Sequence, residues 1–213
     1  MITGNERDRE RVGILGGTFD PIHLGHLEIA KAARDQHRLD RVIFVAARRQ
    51  PMKPSDPVAT GEQRLAMVEL AIAGRPGFSA SDCELKRPGA SFTIDTVREH
   101  RAKLGSSAEL FFILGSDGVQ DLPNWRDLDE LAELCTLVVA ARPGWPLDAL
   151  DVLAARLTPE QAGAIKAAVV RCTANVASAS EVRSRVARGD PIAGLVPPAV
   201  AGYIARNKLY RTA

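Results

Sequence analysis

Short apolar runs at residues 12–15, 42–46, 110–114, 136–140 and 169–172 recur along this chain, and amphipathic stretches fill the intervals between them. Unbroken Val, Ile, Leu and Phe runs of this length are what strands look like when both faces of a sheet are covered. The intervals at 24–36, 62–73, 128–134, 148–156 and 159–168 read as helices, as does one ending near Leu104. Residues 78–83 read as a further, weaker strand. Strands and helices alternating in this way require right-handed crossovers and a parallel sheet with helices on both faces, the doubly wound α/β class. At 213 residues, 46% of them hydrophobic, the chain can build one full core, so 1–213 reads as a single domain. Its first ten residues are expected to be flexible, and its C-terminal portion, about 177–210, helical.

The stretch GGTFDPIHLGH, residues 16–26, follows the first apolar run and leads into the first helix. A strand ending in paired glycines and feeding a helix N-terminus collects backbone N–H groups and the positive end of a helix dipole at one point, which favours phosphate there. Gly16 and Gly17 let a ligand approach the backbone, and Pro21 fixes the turn. His23 and His26, three residues apart, face one side of the helix mouth, where their ring nitrogens can donate to phosphate oxygens. His37 and His100 stand in charged surroundings that read as exposed helix faces, and neither is given a role.

The charge balance, 28 basic against 26 acidic residues, carries neither the basic excess of a nucleic-acid binder nor an acidic solvating tail. Cys83, Cys135 and Cys172 are an odd, scattered set with no CxxC pair. That argues against a disulfide framework and a structural zinc site and fits a reducing cytoplasm. No segment has the length of a membrane span, and the polar first residues carry no apolar signal core. A cytoplasmic protein without membrane or nucleic-acid partners is expected; homo-oligomerisation stays open.

The HxGH element within GGTFDPIHLGH resembles that of the nucleotidylyltransferase superfamily, and the form GGTFDPIH is similar to that of bacterial nicotinate mononucleotide adenylyltransferases. The resemblance implies transfer of the adenylyl group of ATP to nicotinate mononucleotide, giving deamido-NAD and pyrophosphate. It implies ATP bound on Gly16, Gly17, Thr18, Phe19, His23, His26, Gly115, Asp117, Ser178 and Arg183. Mg²⁺ would bridge the ATP phosphates, with no protein ligand required. His23, His26, Lys53 and Arg183 would carry the chemistry by neutralising charge on the transferring and leaving phosphates.

Four later segments extend the resemblance. SFTIDT, 91–96, is similar to the family's SYTIDT element, with Phe92 in place of tyrosine; by resemblance Phe92, Thr93, Asp117 and Trp125 would bind nicotinate mononucleotide. Read on their own, Thr93 and Asp95 fit helix capping equally. GSDGVQDLPNWRD, 115–127, matches the family's GxD…LPxW segment, with Asp117 placed to accept from ligand hydroxyls and Trp125 to stack on the pyridine ring; a satellite-core tryptophan also fits. ASASEVRSRV, 177–186, aligns Ser178, Ser180 and Arg183 with the ISSTxIR box, although Ala177 and Ala179 replace an isoleucine and a serine. A serine-capped helix with solvated arginines fits those residues too. In the proline-broken loop 47–61, Lys53 keeps the cation of the family's PPHK-like sequence, whereas Met52 replaces its histidine; a solvated loop charge is the alternative. Arg142 also matches a family position near the nucleotide. Other acceptors on the same superfamily fold (nicotinamide mononucleotide, phosphopantetheine) and a non-catalytic nucleotide-binding regulator remain as alternatives. A dinucleotide-dependent dehydrogenase would need GxGxxG, which is not what the first loop offers.

Overall fold

A computed structural model describes residues 9–52, 55–142, 144–172 and 177–211. Six strands, β1 (Arg11–Gly17), β2 (Arg41–Ala46), β3 (Phe78–Ser81), β4 (Glu109–Gly115), β5 (Thr136–Ala141) and β6 (Val170–Arg171), form one sheet in the order β3-β2-β1-β4-β5-β6. Every pairing is parallel. The expected doubly wound architecture is therefore the one observed. The chain winds outward from β1 toward β3, then crosses back to β4 on the other side of β1. That reversal makes the gap beyond the carboxyl ends of β1 and β4 the topological switch point, where such sheets bind ligands.

The helices are α1 (Leu24–Gln36), α2 (Gly61–Ile72), α3 (Cys83–Lys86), α4 (Thr93–Leu104), α5 (Leu128–Leu134), α6 (Pro159–Ala167), α7 (Ala179–Arg188) and α8 (Pro198–Arg206). Strand side chains alternate between two cores. From β4, Phe111 and Ile113 enter the first, with Leu27 and Ala30 of α1, Met67 and Val68 of α2, and Val200 and Ile204 of α8. Leu110, Phe112 and Leu114 enter the second, with Ile94 and Val97 of α4, Leu131 of α5 and Ile165 of α6. Thr60 and Thr158 cap α2 and α6 through capping boxes closed by Gln63 and Gln161.

Several expected boundaries shift. The strand expected at 78–83 stops at Ser81, and Cys83–Lys86 turns into a single helical turn. The run at 169–172 contributes only Val170–Arg171 to the sheet. Ser116–Asn124 is 3₁₀, and so is Leu147–Ala155, where 148–156 reads as helix. Pro123, with no N–H to give, sits inside the first of these, where a continuous α-helix would lose a bond. At the N-terminus, residues 1–8 lie outside the described residues, and Glu10 is joined to the sheet: its carbonyl accepts from the Glu109 N–H and its carboxylate from Arg41.

Candidate functional site

The loop that leaves β1 is shaped by close approaches. Gly16 and Gly17 pair with Val45 and Ala46 of β2, and a Cβ on Gly17 would lie 2.7 Å from the ring of Phe19. Phe19 itself is left-handed, at φ 51°, a conformation that costs a non-glycine residue about 1–2 kcal/mol. Its ring is only 1% exposed and packs on Phe44 and edge-on to His26. Phe19 therefore belongs to the core, and the part it can present to a nucleotide is its backbone.

His23 is the N-cap residue of α1, and its imidazole stacks on that of His26 with ring centroids 3.7 Å apart. The Nδ1 of His26 accepts from the backbone N–H of His23 at 3.2 Å, which places the proton of the neutral His26 ring on Nε2. Gly25 makes the stack possible: a Cβ there would meet the His23 ring at 3.0 Å and the Ala177 carbonyl at 3.3 Å. His23 is 7% exposed, and its buried Nδ1 has no hydrogen-bond partner among the described residues. Burial holds its pKa down at about 4; nearby Arg142 lowers it too, and Asp117 opposes them.

Unfolded His23 takes a proton near pH 6.5, the folded ring resists until about 4, and so acid favours the unfolded chain across that window. Wild type is expected to lose about 3 kcal/mol more stability between pH 7 and pH 4 than His23→Asn does. Urea titrations of both proteins at the two pH values test this, and equal losses would contradict it.

Asp117 and Arg142 belong to the ends of neighbouring strands. With Ser116, Gly144, Trp145 and Pro146 they line a cavity of about 400 Å³. Gly115 leaves room for the Asp117 carboxylate, since a Cβ at 115 would collide with it. Trp125 is half-buried and meets Phe112 edge to face at 5.8 Å, so it is both a core contact and a partly open surface. Phe92 caps α4 by its backbone alone, with the Arg126 guanidinium 4.0 Å above its ring, and Thr93 opens the helix.

Ser178 caps α7 by accepting from the Glu181 N–H, and its hydroxyl lies 3.2 Å from that of Ser180. Arg183, one turn on, donates to the carbonyl of Asp20 at 2.7 Å. The expected box at 177–186 is thus brought to the first loop, with Arg183 holding that loop's backbone. Thr18 donates to Gln50 at 2.8 Å. Lys53, the remaining candidate, lies outside the described residues.

Three residues that the sequence reading passed over complete the arrangement. Arg64, 2% exposed, donates to the carbonyls of Thr18 and Ala47, both at 2.6 Å, and to that of Ala59 at 3.2 Å. Asp20 accepts from the N–H groups of Val58 and Ala59 at 2.8 and 3.1 Å. Tyr210, near the C-terminus, donates its hydroxyl to Asp20 at 2.7 Å. The one signal that could have found Arg64 is its place on the buried stripe of α2 with Met67, Val68 and Ala71. His100, expected to be exposed, is buried, with Nδ1 2.9 Å from the Thr96 carbonyl. His37 is partly buried against Phe111, its Nε2 3.0 Å from the Ala168 carbonyl. His37 lies by the start of β1, where its carbonyl accepts from Arg11, rather than by the carboxyl end that carries the motif.

The cytidylyltransferase-like family model matches residues 14–185. A "probable nicotinate-nucleotide adenylyltransferase" of Moorella thermoacetica is 42% identical over 94% of this chain and 92% of its own length. A protein of the same name from Thermus thermophilus is 43% identical over 94% of this chain and all of its own length. Among solved structures, the Plasmodium falciparum nicotinic acid mononucleotide adenylyltransferase complexed with NaAD superposes with a TM-score of 0.72. It covers 95% of this chain and 98% of that one at 18% identity, a likeness of fold.

Proposed function

The chain belongs to the cytidylyltransferase-like family, among its nicotinate-nucleotide adenylyltransferases, and on that footing we propose that it joins ATP to nicotinate mononucleotide, releasing pyrophosphate. The observation that supports this best is the stacked His23–His26 pair at the helix mouth of the switch point, on the same sheet edge as Asp117 and Arg142. In the reaction a 5′-phosphate oxygen of the mononucleotide attacks the α-phosphorus of ATP. The bond from that phosphorus to the bridging oxygen breaks, and pyrophosphate leaves in line with the attack. Such transfers need alignment and neutralisation of charge far more than covalent help from the protein.

The two imidazoles receive the triphosphate, His26 donating from Nε2, and the start of α1 adds backbone N–H groups. A neutral His23 suits this task, because a ring that resists protonation does not repel Arg142. Asp117 accepts from ligand hydroxyls; Phe92, Thr93 and Trp125 border the pyridine ring; Ser178 and Gly115 lie along the nucleotide. Arg183 acts through the Asp20 backbone as well as through its charge. Lys53 is proposed to follow the departing pyrophosphate.

Mg²⁺ enters with ATP as part of the substrate. The donor set here, one strand-end carboxylate beside imidazoles and a guanidinium, suits a hydrated ion held by phosphates. When bound it spreads the phosphate charge. No helix among the described residues is long and apolar enough to cross a membrane, and the cytoplasm is the proposed location.

Pyrophosphate release with ATP and each of three acceptors tests the assignment. Turnover is expected with nicotinate mononucleotide and a much lower rate with nicotinamide mononucleotide and phosphopantetheine. Preference for either of the others would move the assignment to that acceptor, and ATP binding without pyrophosphate from any of them would make the chain a nucleotide-binding regulator.

A further inference from the structure

The carboxylate of Asp20 lies three residues before His23 and is buried, yet it touches none of the groups assigned to the substrates. Its partners are the N–H groups of Val58 and Ala59, at the far end of the 47–61 loop, and the hydroxyl of Tyr210. Arg64 binds the same segments from the other side, taking the carbonyls of Thr18, Ala47 and Ala59. Arg183 takes the carbonyl of Asp20 itself. Residues far apart in sequence, Thr18 and Asp20, Ala47, Val58 and Ala59, and Tyr210, are therefore tied together through buried hydrogen bonds.

Tyr210 is the least expected member. It sits after the end of α8 in a left-handed conformation, φ 62°, and is 8% exposed. Lys208, two residues earlier, is left-handed as well. The buried bond from the Tyr210 hydroxyl ends on the residue next to the left-handed Phe19. Without the hydroxyl, Asp20 keeps two backbone partners and its fold. What it loses is the bond that fixes the carboxylate, and with it the loop, relative to the C-terminal segment.

We propose that Tyr210 is a positioning residue for adenylyl transfer: through Asp20 it sets the loop that aims His23 and His26 at the ATP phosphates. The proposal deepens the activity inferred above and rests on it. A displacement of about 1 Å in a catalytic loop can cost up to about 100-fold in rate. Removing the tie is therefore expected to appear mainly in kcat, while the mononucleotide pocket, built on β4 and α4, stays as it was.

The test is Tyr210→Phe in the full chain, which keeps the buried ring and deletes only the hydroxyl. At 25 °C, with the variant shown to be folded by circular dichroism, kcat is expected to fall about 10- to 100-fold. KM for nicotinate mononucleotide should stay within about twofold, and ATP, titrated calorimetrically, should bind about fivefold more weakly. A folded variant with kcat and ATP affinity within about twofold of wild type would overturn the proposal, as would an activity loss that only tracks the unfolded fraction. Should wild type release no pyrophosphate with any acceptor, the assigned activity fails on its own. The ATP titration then still decides the role of Tyr210, weakened binding supporting it and unchanged binding refuting it.

Discussion

His26→Ala is expected to lower kcat by about 100- to 1,000-fold, the usual cost of deleting one donor aimed at developing charge on a transferring group. The same substitution removes a structural contact, because His26 Nδ1 accepts from the His23 N–H at the start of α1. Losing a helix cap costs about 1 kcal/mol, or about 2–4 °C in Tm for a chain of this size. The two effects separate in His26→Gln. Glutamine at this helix position can reach back to the same N–H and restore the cap, but it offers no imidazole to the phosphates. Turnover should therefore stay low in both variants while Tm recovers in the glutamine one. If glutamine restored both, the role of His26 would be to build the helix mouth rather than to bind ATP.

Arg64→Met is expected to destabilise the protein by about 3–5 kcal/mol. Methionine replaces the aliphatic stem within the first core, so little packing is lost. The guanidinium is another matter. It satisfies the carbonyls of Thr18, Ala47 and Ala59, and it offsets the buried charge of Asp20. Burial pushes its own pKa down from the usual arginine value, which measures how little water reaches it. Deleting it strands several buried acceptors at once. Urea unfolding should show a lowered midpoint with an unchanged slope, and a loss under about 1 kcal/mol would mean that water or a loop shift replaces the guanidinium at no great cost.

The strands were legible because parallel strands covered on both faces need unbroken apolar runs, and β1, β2, β4 and β5 supply them. The edges were less so. β3 and β6 each have a single neighbour in the sheet, and their mixed sequences, FSAS and VR, reflect it. At the site, the motif loop stood out because glycines and histidines at fixed spacing have few other uses. Arg64 did not, since an arginine on a helix ordinarily points to water, and only its partners' backbone carbonyls, invisible in a sequence, hold it inside. His100 misled for a related reason. Its neighbours in REHRAK are charged, but the stripe through Ile94 and Val97 carries it inward. Phe19 sits in the middle of the most telling motif, yet its ring is buried, packed on Phe44 and edge-on to His26, so only packing, not sequence spacing, shows where it lies.

In the proposed binding mode, ATP phosphates meet the two imidazoles at the end of β1. The chain has four histidines, and two of them, His37 and His100, are held by backbone carbonyls away from that place, so a side-chain imidazole spectrum resolves the question in one titration. Adding ATP to the ¹⁵N-labelled protein is expected to shift the ring resonances of His23 and His26 and leave those of His37 and His100 in place. Saturable ATP binding that moves neither His23 nor His26 would contradict it.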